Sequence, residues 1–275
     1  MKKIALALLG AGLMASAVAQ AGPEDDRKQL IAHFKSKLPA VKYENYVYGA
    51  LALDKDSKSQ YDSIMEFPPF VGVIEGGKEM WEKPFKNGKT FASCFPNGGK
   101  NVAGNYPRFD ASLNKVVTFE ADINQCLKAN GETEFKLSDV NTMGILTAYA
   151  RTLSDGMKKN VKVEGAAAMA AYEDGKKFYF QRRGQLNFSC ATCHVDNAGN
   201  RIRAEVLSPM LGQTTHWPVF RAGERLTTLQ SRYKGCNSQV RAVPFEVGSD
   251  EFNNLEYFMS YQDNGLPLKA SVFRK

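Results

Sequence analysis

The sequence predicts an all-α protein made of two related helical domains with long loops. Apolar residues recur every three and four positions near the end of each half, and strand-like alternation is scarce. The two halves also share a weak repeat of short motifs in the same order. These observations favour two related domains over one large domain.

The repeat consists of two matches that keep their spacing. A glycine, four further residues, a serine and a cysteine end at Cys94 in the first half and at Cys190 in the second. Further along each half, a threonine precedes another cysteine by eight residues: Thr118 and Cys126, then Thr228 and Cys236.

Residues 1–21 are typical of a signal peptide. Lys2 and Lys3 precede an apolar run, and Ala19-Gln20-Ala21 supplies the small residues that a signal peptidase reads. The run is short compared with the roughly 20 residues of a membrane span. We therefore expect cleavage after Ala21 and a periplasmic protein without a membrane span.

The remaining chain divides into two predicted domains. Residues 22–155 are expected to contain an N-terminal extension and the first domain, with residues 22–50 packed on that domain. Residues 156–275 form the predicted second domain, after a linker near 154–160 that is rich in polar residues and glycine.

Three helices follow from periodicity and capping signals. One follows a Ser138 cap and includes residues 140–149, one covers 166–180, and one follows Ser249 or Asp250 and includes residues 252–259. The chain is also mildly basic, with a formal net charge of +7 at pH 7. Because a periplasmic protein rarely meets nucleic acid, this charge favours an acidic protein partner or a small anion.

The segment Cys190-Ala191-Thr192-Cys193-His194 has the spacing of a covalent c-type haem site. Positions i and i+3 project from one side of a helical turn, so both thiols can reach one porphyrin. The histidine then presents its imidazole to the iron. A zinc site would need two further ligands, and the sequence holds no second motif that could supply them. We therefore expect haem c bound by Cys190, Cys193 and His194.

The first half carries what looks like the remnant of a second haem motif. Cys94-Phe95-Pro96-Asn97-Gly98 aligns with the intact motif, but Asn97 and Gly98 replace the second cysteine and the histidine. We therefore expect one haem, in the second of two cytochrome c-like domains, and a degenerate first domain. Cys94 and Cys126 hold matching places in the repeat, and a disulfide between them is the preferred interpretation, stabilising by about 3 kcal/mol.

The second axial ligand of the iron stays open among four residues: Met259, Met210, His216 and Cys236. Met259 has the spacing of a Met-ligated electron carrier, although it falls in an apolar helix where core packing also explains it. Met210 and His216 fall in a loop rich in proline and glycine that could line a haem pocket.

Cys236 differs from the other three candidates in its charged surroundings. It falls in a predicted Gly-Cys-Asn turn, and Arg232 and Lys234 precede it closely. Cationic neighbours favour a thiolate, which is both the nucleophilic and the metal-binding form of cysteine. Arg232 offers a planar fork of donors suited to an oxyanion, and Lys234 is expected to add a second positive charge.

Together with the haem motif, the segments Ser208-Pro209-Met210 and Arg232-Tyr233-Lys234-Gly235-Cys236-Asn237 resemble the SoxA family, the catalytic subunits of SoxAX cytochromes. The resemblance covers essentially the whole chain after residue 21 and includes the two-domain layout. Asn97 and Gly98 depart from the di-haem members, so the chain resembles the mono-haem form, in which a disulfide replaces the first haem.

The resemblance implies L-cysteine S-thiosulfotransferase activity, which joins thiosulfate oxidatively to a cysteine of the SoxY subunit of a SoxYZ carrier. It implies that Cys236 is the distal thiolate ligand and the active-site cysteine, found as a persulfide in the family, and that Arg232 binds substrate. It also implies a SoxX-like mono-haem cytochrome c partner and a downstream cytochrome c acceptor.

Two other functions stay open from the residues alone. A plain electron-transfer cytochrome c would use Met259 or Met210 on the iron and would not need an Arg-Lys-Cys cluster. A thiosulfate dehydrogenase would couple two thiosulfates to tetrathionate with similar ligands, and its small-molecule product would distinguish it.

Overall fold

The computed structural model describes residues 22–223 and 225–274, so the predicted signal peptide lies outside the described residues. The fold is mostly helical. No helix in these two ranges is long and apolar enough to cross a membrane. The α-helices are α1 Pro23–Lys37, α2 Lys55–Glu66, α3 Val71–Glu82, α4 Phe119–Ala129, α5 Ile145–Thr152, α6 Ala166–Phe180, α7 Leu229–Gln239 and α8 Asp250–Gln262.

Shorter helical turns of 3-10 and π type lie between the α-helices. The 3-10 turns are Tyr43–Leu53, Phe91–Cys94, Pro96–Gly99 and Ala103–Asn105, and the π turns are Val140–Gly144 and Thr192–Asp196. The second π turn contains most of the predicted haem motif.

Short strands correct the all-α prediction. They are β1 Arg108–Asp110, β2 Lys115–Val117, β3 Arg201–Ile202, β4 Glu205–Val206, β5 Val219–Arg221, β6 Arg225–Thr227 and β7 Val272–Phe273. β1–β2 and β3–β4 are antiparallel pairs, and β5 pairs antiparallel with β6 and parallel with β7. Strands of two or three residues are too short to show the alternation by which strands are recognised.

The helices α4 and α7 begin in the same way. The Thr118 hydroxyl accepts from the Ala121 amide at 3.2 Å, and the Thr228 hydroxyl accepts from the Ser231 amide at 3.4 Å. Such caps satisfy amide groups that have no partner within the helix. Each helix has 11 residues, and in each the cysteine follows the capping threonine by eight positions.

The three predicted helices are present, with one change of cap. The helix over residues 166–180 is confirmed, and Ser249 caps α8 by accepting from the Phe252 amide at 3.4 Å. The third helix begins with the π turn at Val140, whose cap is Asp139 rather than Ser138. The Asp139 carboxylate accepts from the Asn141 amide at 2.9 Å, which is why the helix begins one residue later.

Each half has its own apolar core, crossed by one close helix pair. α3 packs on α5 in the first half, and α6 packs on α8 in the second. A Cβ atom at Gly77 would overlap the Ile145 carbonyl oxygen, and one at Gly175 would overlap the Asn254 carbonyl oxygen. Glycine is therefore required at both crossings because the backbones touch.

The N-terminal extension packs on the second half, which corrects the prediction that residues 22–50 lie on the first domain. Phe34 of α1 is fully buried in the second-half core. The Asp26 carboxylate accepts from the Lys176 ammonium at 2.8 Å and from the Tyr172 hydroxyl at 2.9 Å. Buried apolar area and these polar contacts decide the placement, whereas sequence order carries no such information.

The predicted linker contacts both halves. The Ser154 hydroxyl accepts from the amide of Val102 at 3.0 Å. Lys159 is buried and donates to the Tyr106 carbonyl at 2.9 Å and to the Ser260 hydroxyl at 3.0 Å. Residues 154–160 are thus held by specific bonds on either side.

Candidate functional site

A single helical turn carries the haem motif. The Ser189 hydroxyl accepts from the Thr192 amide at 3.1 Å and starts the turn, which continues as the π turn Thr192–Asp196. Cys190 and Cys193 are half-buried and neither forms a disulfide. The structure therefore leaves both thiols available for thioether bonds.

His194 is oriented by the loop that follows it. Its ring Nδ1 lies 2.8 Å from the Ser208 carbonyl oxygen, and the Met210 amide donates to the His194 carbonyl at 2.8 Å. Only a protonated Nδ1 can donate to a carbonyl, so the lone pair of the neutral ring lies on Nε2. A histidine that binds a metal through one nitrogen and a carbonyl through the other is a common ligand arrangement. Burial lowers the pKa of His194 and favours the neutral ring that a metal requires.

Cys236 lies inside α7, which corrects the predicted Gly-Cys-Asn turn. The helix forms because Thr228 caps it and because Tyr233 and Asn237 bury their side chains on the core side. Arg232 precedes Cys236 by one helical turn, so both side chains share one helix face.

Lys234 does not add its charge to this face. Its ammonium binds the Glu246 carboxylate at 3.0 Å. Residues two positions apart in a helix point in different directions, so Lys234 and Cys236 diverge. The expectation of a second positive charge from Lys234 is therefore wrong.

The second cation near Cys236 is Arg221, at the end of β5. Burial raises the pKa of the Cys236 thiol, whereas the charges of Arg232 and Arg221 lower it. Arg221 could not be found from the sequence, because its strand has three residues and lies outside every motif.

The two cysteines of the predicted haem motif and Cys236 lie near one another. Burial raises the pKa of Cys190 to about 12, and the neighbouring Cys236 adds to this effect. Burial and Cys236 also raise the pKa of Cys193. The fold thus gathers the thiols of Cys190, Cys193 and Cys236 around one region, with His194 beside them.

The other candidate ligands have different surroundings. The Met259 sulfur accepts from the Tyr233 hydroxyl at 3.3 Å and is 4% exposed within the second-half core. Met210 is also buried in this core. His216 stacks on Trp217 with ring centroids 5.4 Å apart. Core packing accounts for both methionines.

Buried polar atoms without partners show that this region fits a prosthetic group. The Tyr179 hydroxyl and the Arg183 Nε atom are buried, and neither has a hydrogen-bond partner among the described residues. Burial raises the pKa of Tyr179 and lowers that of Arg183, and the neighbouring Cys190 raises both. Such atoms cost about 1–3 kcal/mol each if nothing binds them. With two free thiols and a free imidazole Nε2, the donor set fits covalent haem c.

The first half has a different arrangement at the matching position. Cys94 and Cys126 form a disulfide with Cα atoms 5.8 Å apart, as the preferred interpretation proposed. Trp81 stacks on Phe91 and Phe95, with ring centroids 5.4 and 5.5 Å away. The sulfurs are bonded to each other, and aromatic rings fill this core.

The chain is similar to known SoxA proteins. A family model for the cytochrome c domain of SoxA and TsdA matches residues 76–159. The L-cysteine S-thiosulfotransferase subunit SoxA of Chlorobaculum tepidum is 45% identical over 93% of this chain and 89% of that protein. The corresponding subunit of Allochromatium vinosum is 42% identical over 98% of this chain and 96% of that protein.

Similarity extends to a solved structure. One chain in the crystal structure of SoxXA from P. pantotrophus matches with a TM-score of 0.69 and 33% sequence identity. The match covers 76% of this chain and 79% of that chain. On these similarities and on the site geometry, the chain belongs to the SoxA family.

Proposed function

We propose that this chain is the catalytic subunit of an L-cysteine S-thiosulfotransferase, which conjugates thiosulfate oxidatively to a cysteine of a SoxYZ-like carrier. The observation that carries this proposal is the placement of Arg232 one helical turn before Cys236, near the haem motif. A plain electron carrier has no use for that pair. Membership of the SoxA family supports the same activity.

Cys236 is the proposed reactive sulfur and, together with His194, would hold the haem iron. Arg232 is the proposed substrate-binding residue. The Arg232 guanidinium binds sulfonate oxygens of thiosulfate and orients the outer sulfur towards Cys236. The His194 ring donates to the Ser208 carbonyl, which orients the imidazole that would hold the iron. When bound at Cys190 and Cys193, haem c supplies a one-electron acceptor.

Electron counting supports a partner with its own haem. Thiosulfate and a thiol form a sulfur–sulfur bond with release of one proton and two electrons, and one haem iron accepts one electron. A SoxX-like cytochrome subunit would provide the second centre, and a downstream cytochrome c would remove the electrons. The structurally similar chain belongs to a SoxXA assembly, which supports such a partner.

We also propose the mono-haem form with two cytochrome c-like domains. The Cys94–Cys126 disulfide leaves no thiol at Cys94 for a thioether bond. The cytochrome c family model matches residues 76–159, which contain no intact haem motif. This match supports a degenerate first domain within residues 22–155, and the intact motif from Cys190 to His194 supports a haem-bearing second domain in 156–275. We further propose a periplasmic location, because residues 1–21 have the pattern of a cleaved signal peptide.

The decisive experiment offers the purified haem protein, with its cytochrome partner, a choice of acceptors. Thiosulfate, an oxidised cytochrome c and a cysteine-bearing carrier peptide are incubated together, and the peptide is analysed by mass spectrometry. A thiosulfate adduct on the peptide cysteine, dependent on Cys236, supports the proposal. Tetrathionate without a peptide adduct would instead support a thiosulfate dehydrogenase. If neither product forms, the result would support a simple electron carrier.

A further inference from the structure

The Cys94–Cys126 disulfide joins a residue at the surface to a residue in the core. Cys94 is exposed at the end of the 3-10 turn Phe91–Cys94, whereas Cys126 is 4% exposed within the first-half core. Thiol–disulfide exchange requires access of the attacking thiolate to one of the two sulfurs. A thiolate from solution therefore reaches this bond from the Cys94 side.

A side-chain amide lies against both sulfurs. The Asn130 Nδ2 group donates to the Cys94 sulfur at 3.4 Å and to the Cys126 sulfur at 3.8 Å. It also donates to the Cys126 carbonyl at 2.8 Å, which holds the amide beside the bond. A donor in this place stabilises the negative charge that develops on a sulfur when a thiolate displaces it.

The Asn130 amide is in turn fixed by a neighbouring amide. Its Oδ1 atom accepts from the Asn87 Nδ2 group at 2.8 Å, and the Asn87 Oδ1 atom accepts from the Lys89 amide at 3.0 Å. This chain of donors orients the N–H groups of Asn130 towards the sulfurs and polarises them. Val240 holds the matching place, four residues after Cys236, so the repeat places the donor beside the disulfide and not beside the second-half cysteine.

The helix position of Cys126 makes this donor important. Cys126 lies in the last turn of α4, where the helix dipole disfavours an anion. A thiolate released there needs a hydrogen-bond donor, and Asn130 supplies one. A thiolate that is poorly stabilised is also the more nucleophilic one. It therefore attacks a mixed disulfide at Cys94 readily and re-forms the original bond.

We propose that Cys94–Cys126 is a reversible modification site for small thiols, in which Cys94 takes up the thiol and Cys126 is the leaving sulfur. The incoming thiolate bonds to the Cys94 sulfur, the Cys94–Cys126 bond breaks, and its electron pair passes to the Cys126 sulfur. Cys126 then takes up the proton that the incoming thiol released. The product is a mixed disulfide at Cys94, and this chemistry is independent of the proposed activity at Cys236.

The test adds millimolar reduced glutathione to the haem-loaded full chain without denaturant. The reaction is quenched with acid at early times, and the peptides are analysed by mass spectrometry. We expect a glutathione adduct on Cys94 and a free thiol at Cys126. A disulfide that stays intact until denaturant is added would overturn the proposal, as would an adduct on Cys126 in place of Cys94.

Two variants separate a role in exchange from a role in holding α4. Asn130→Ala removes the donor and should slow opening by glutathione about tenfold, because the leaving thiolate loses its hydrogen bond. Thr118→Ala is the matched control, because it removes the cap at the other end of α4. A loosened helix exposes the bond, so Thr118→Ala should open at the parent rate or faster. Opening of Asn130→Ala at or above the parent rate would show that Asn130 only holds the helix and would overturn its role in exchange.

Discussion

Arg232 and Cys236 lie one turn apart on the same face of α7, and this face is separate from the Lys234–Glu246 ion pair. Arg232→Lys keeps the charge but loses the planar fork. We expect thiosulfate binding to weaken by roughly 1.5–3 kcal/mol, the value of a charged hydrogen bond. Arg232→Ala should be worse, and both variants should keep the parent's ferric spectrum.

Lys234→Gln is the matched control for Arg232 because it removes a cation from the neighbouring position on the same helix. Its ion pair is exposed on the Glu246 side, so steady-state turnover should stay within about twofold of the parent. Equal turnover by the Arg232 variants and the Lys234 control would remove Arg232 from substrate binding.

Replacement of Cys236 tests the distal ligand. Cys236→Met should change the low-spin absorption spectrum and raise the reduction potential, because a thiolate donates charge and favours ferric iron. Met259→Ala should leave both unchanged and lower the free energy of unfolding by about 2–5 kcal/mol through a core cavity. The opposite pattern, with Met259→Ala altering spectrum and potential, would make Met259 the ligand.

Haem content and the disulfide are testable on the intact protein. Mass spectrometry should find the mass of one covalent haem added to the chain. The mass should also be lower by two hydrogens because of the Cys94–Cys126 bond. Replacing both cysteines by serine should lower the free energy of unfolding by about 3 kcal/mol and leave the haem content unchanged. A second haem, or alkylation of both thiols without reductant, would contradict the mono-haem form.

Glu256 makes stability depend on pH. Burial is the main reason that its pKa is raised to about 7, and the charge of Glu120 also raises it. Arg151 opposes this shift. Lys159 and Gln230 also face this carboxyl group. Because the folded pKa lies above the unfolded value, the protonated group stabilises the fold at low pH, and this contribution is lost as pH rises through about 7.

Denaturant unfolding across this pH range checks the sign. Glu256→Gln retains an oxygen to accept from Gln230 but cannot ionise. Its free energy of unfolding should therefore rise relative to the parent between about pH 5 and pH 8. A relative decrease over the same interval would show that the ionised carboxylate stabilises the fold through Arg151 and Lys159.

Helices that have strong local signals could be predicted from the sequence. The helix around Cys236 depends on tertiary contacts, and that segment was predicted as a turn instead. Residues 166–180 form a helix because apolar positions recur along the whole segment. The polar sequence around Gly235 suggested a turn, yet Tyr233 and Asn237 pack on the core and hold α7 together. Capping by Thr228 supplied the missing local stabilisation.

Spacing in the sequence predicts which candidate residues share a helical turn, and the roles of those residues stay predictions. The haem motif and the Arg232–Cys236 pair follow from i, i+3 and i, i+4 contacts on helical turns. Lys234 was misjudged because closeness in sequence is not closeness on a helix. Arg221 could not be found because it belongs to a strand of three residues. Its charge lowers the pKa of Cys236 only because the fold brings that strand near α7.

The docking of α1 on the second half determines the order in which the two cores can close as the chain emerges from its N-terminus. The first-half core uses residues between Trp81 and Leu153 and can close as soon as they have emerged. The second-half core needs Phe34 near the start and Leu266 near the end. The Arg27 side chain likewise donates to the Asn264 carbonyl, 237 positions later. The first helix of the described residues, α1, therefore stays undocked until nearly the whole chain has emerged, and closure of that core is the slow step expected of such distant contacts.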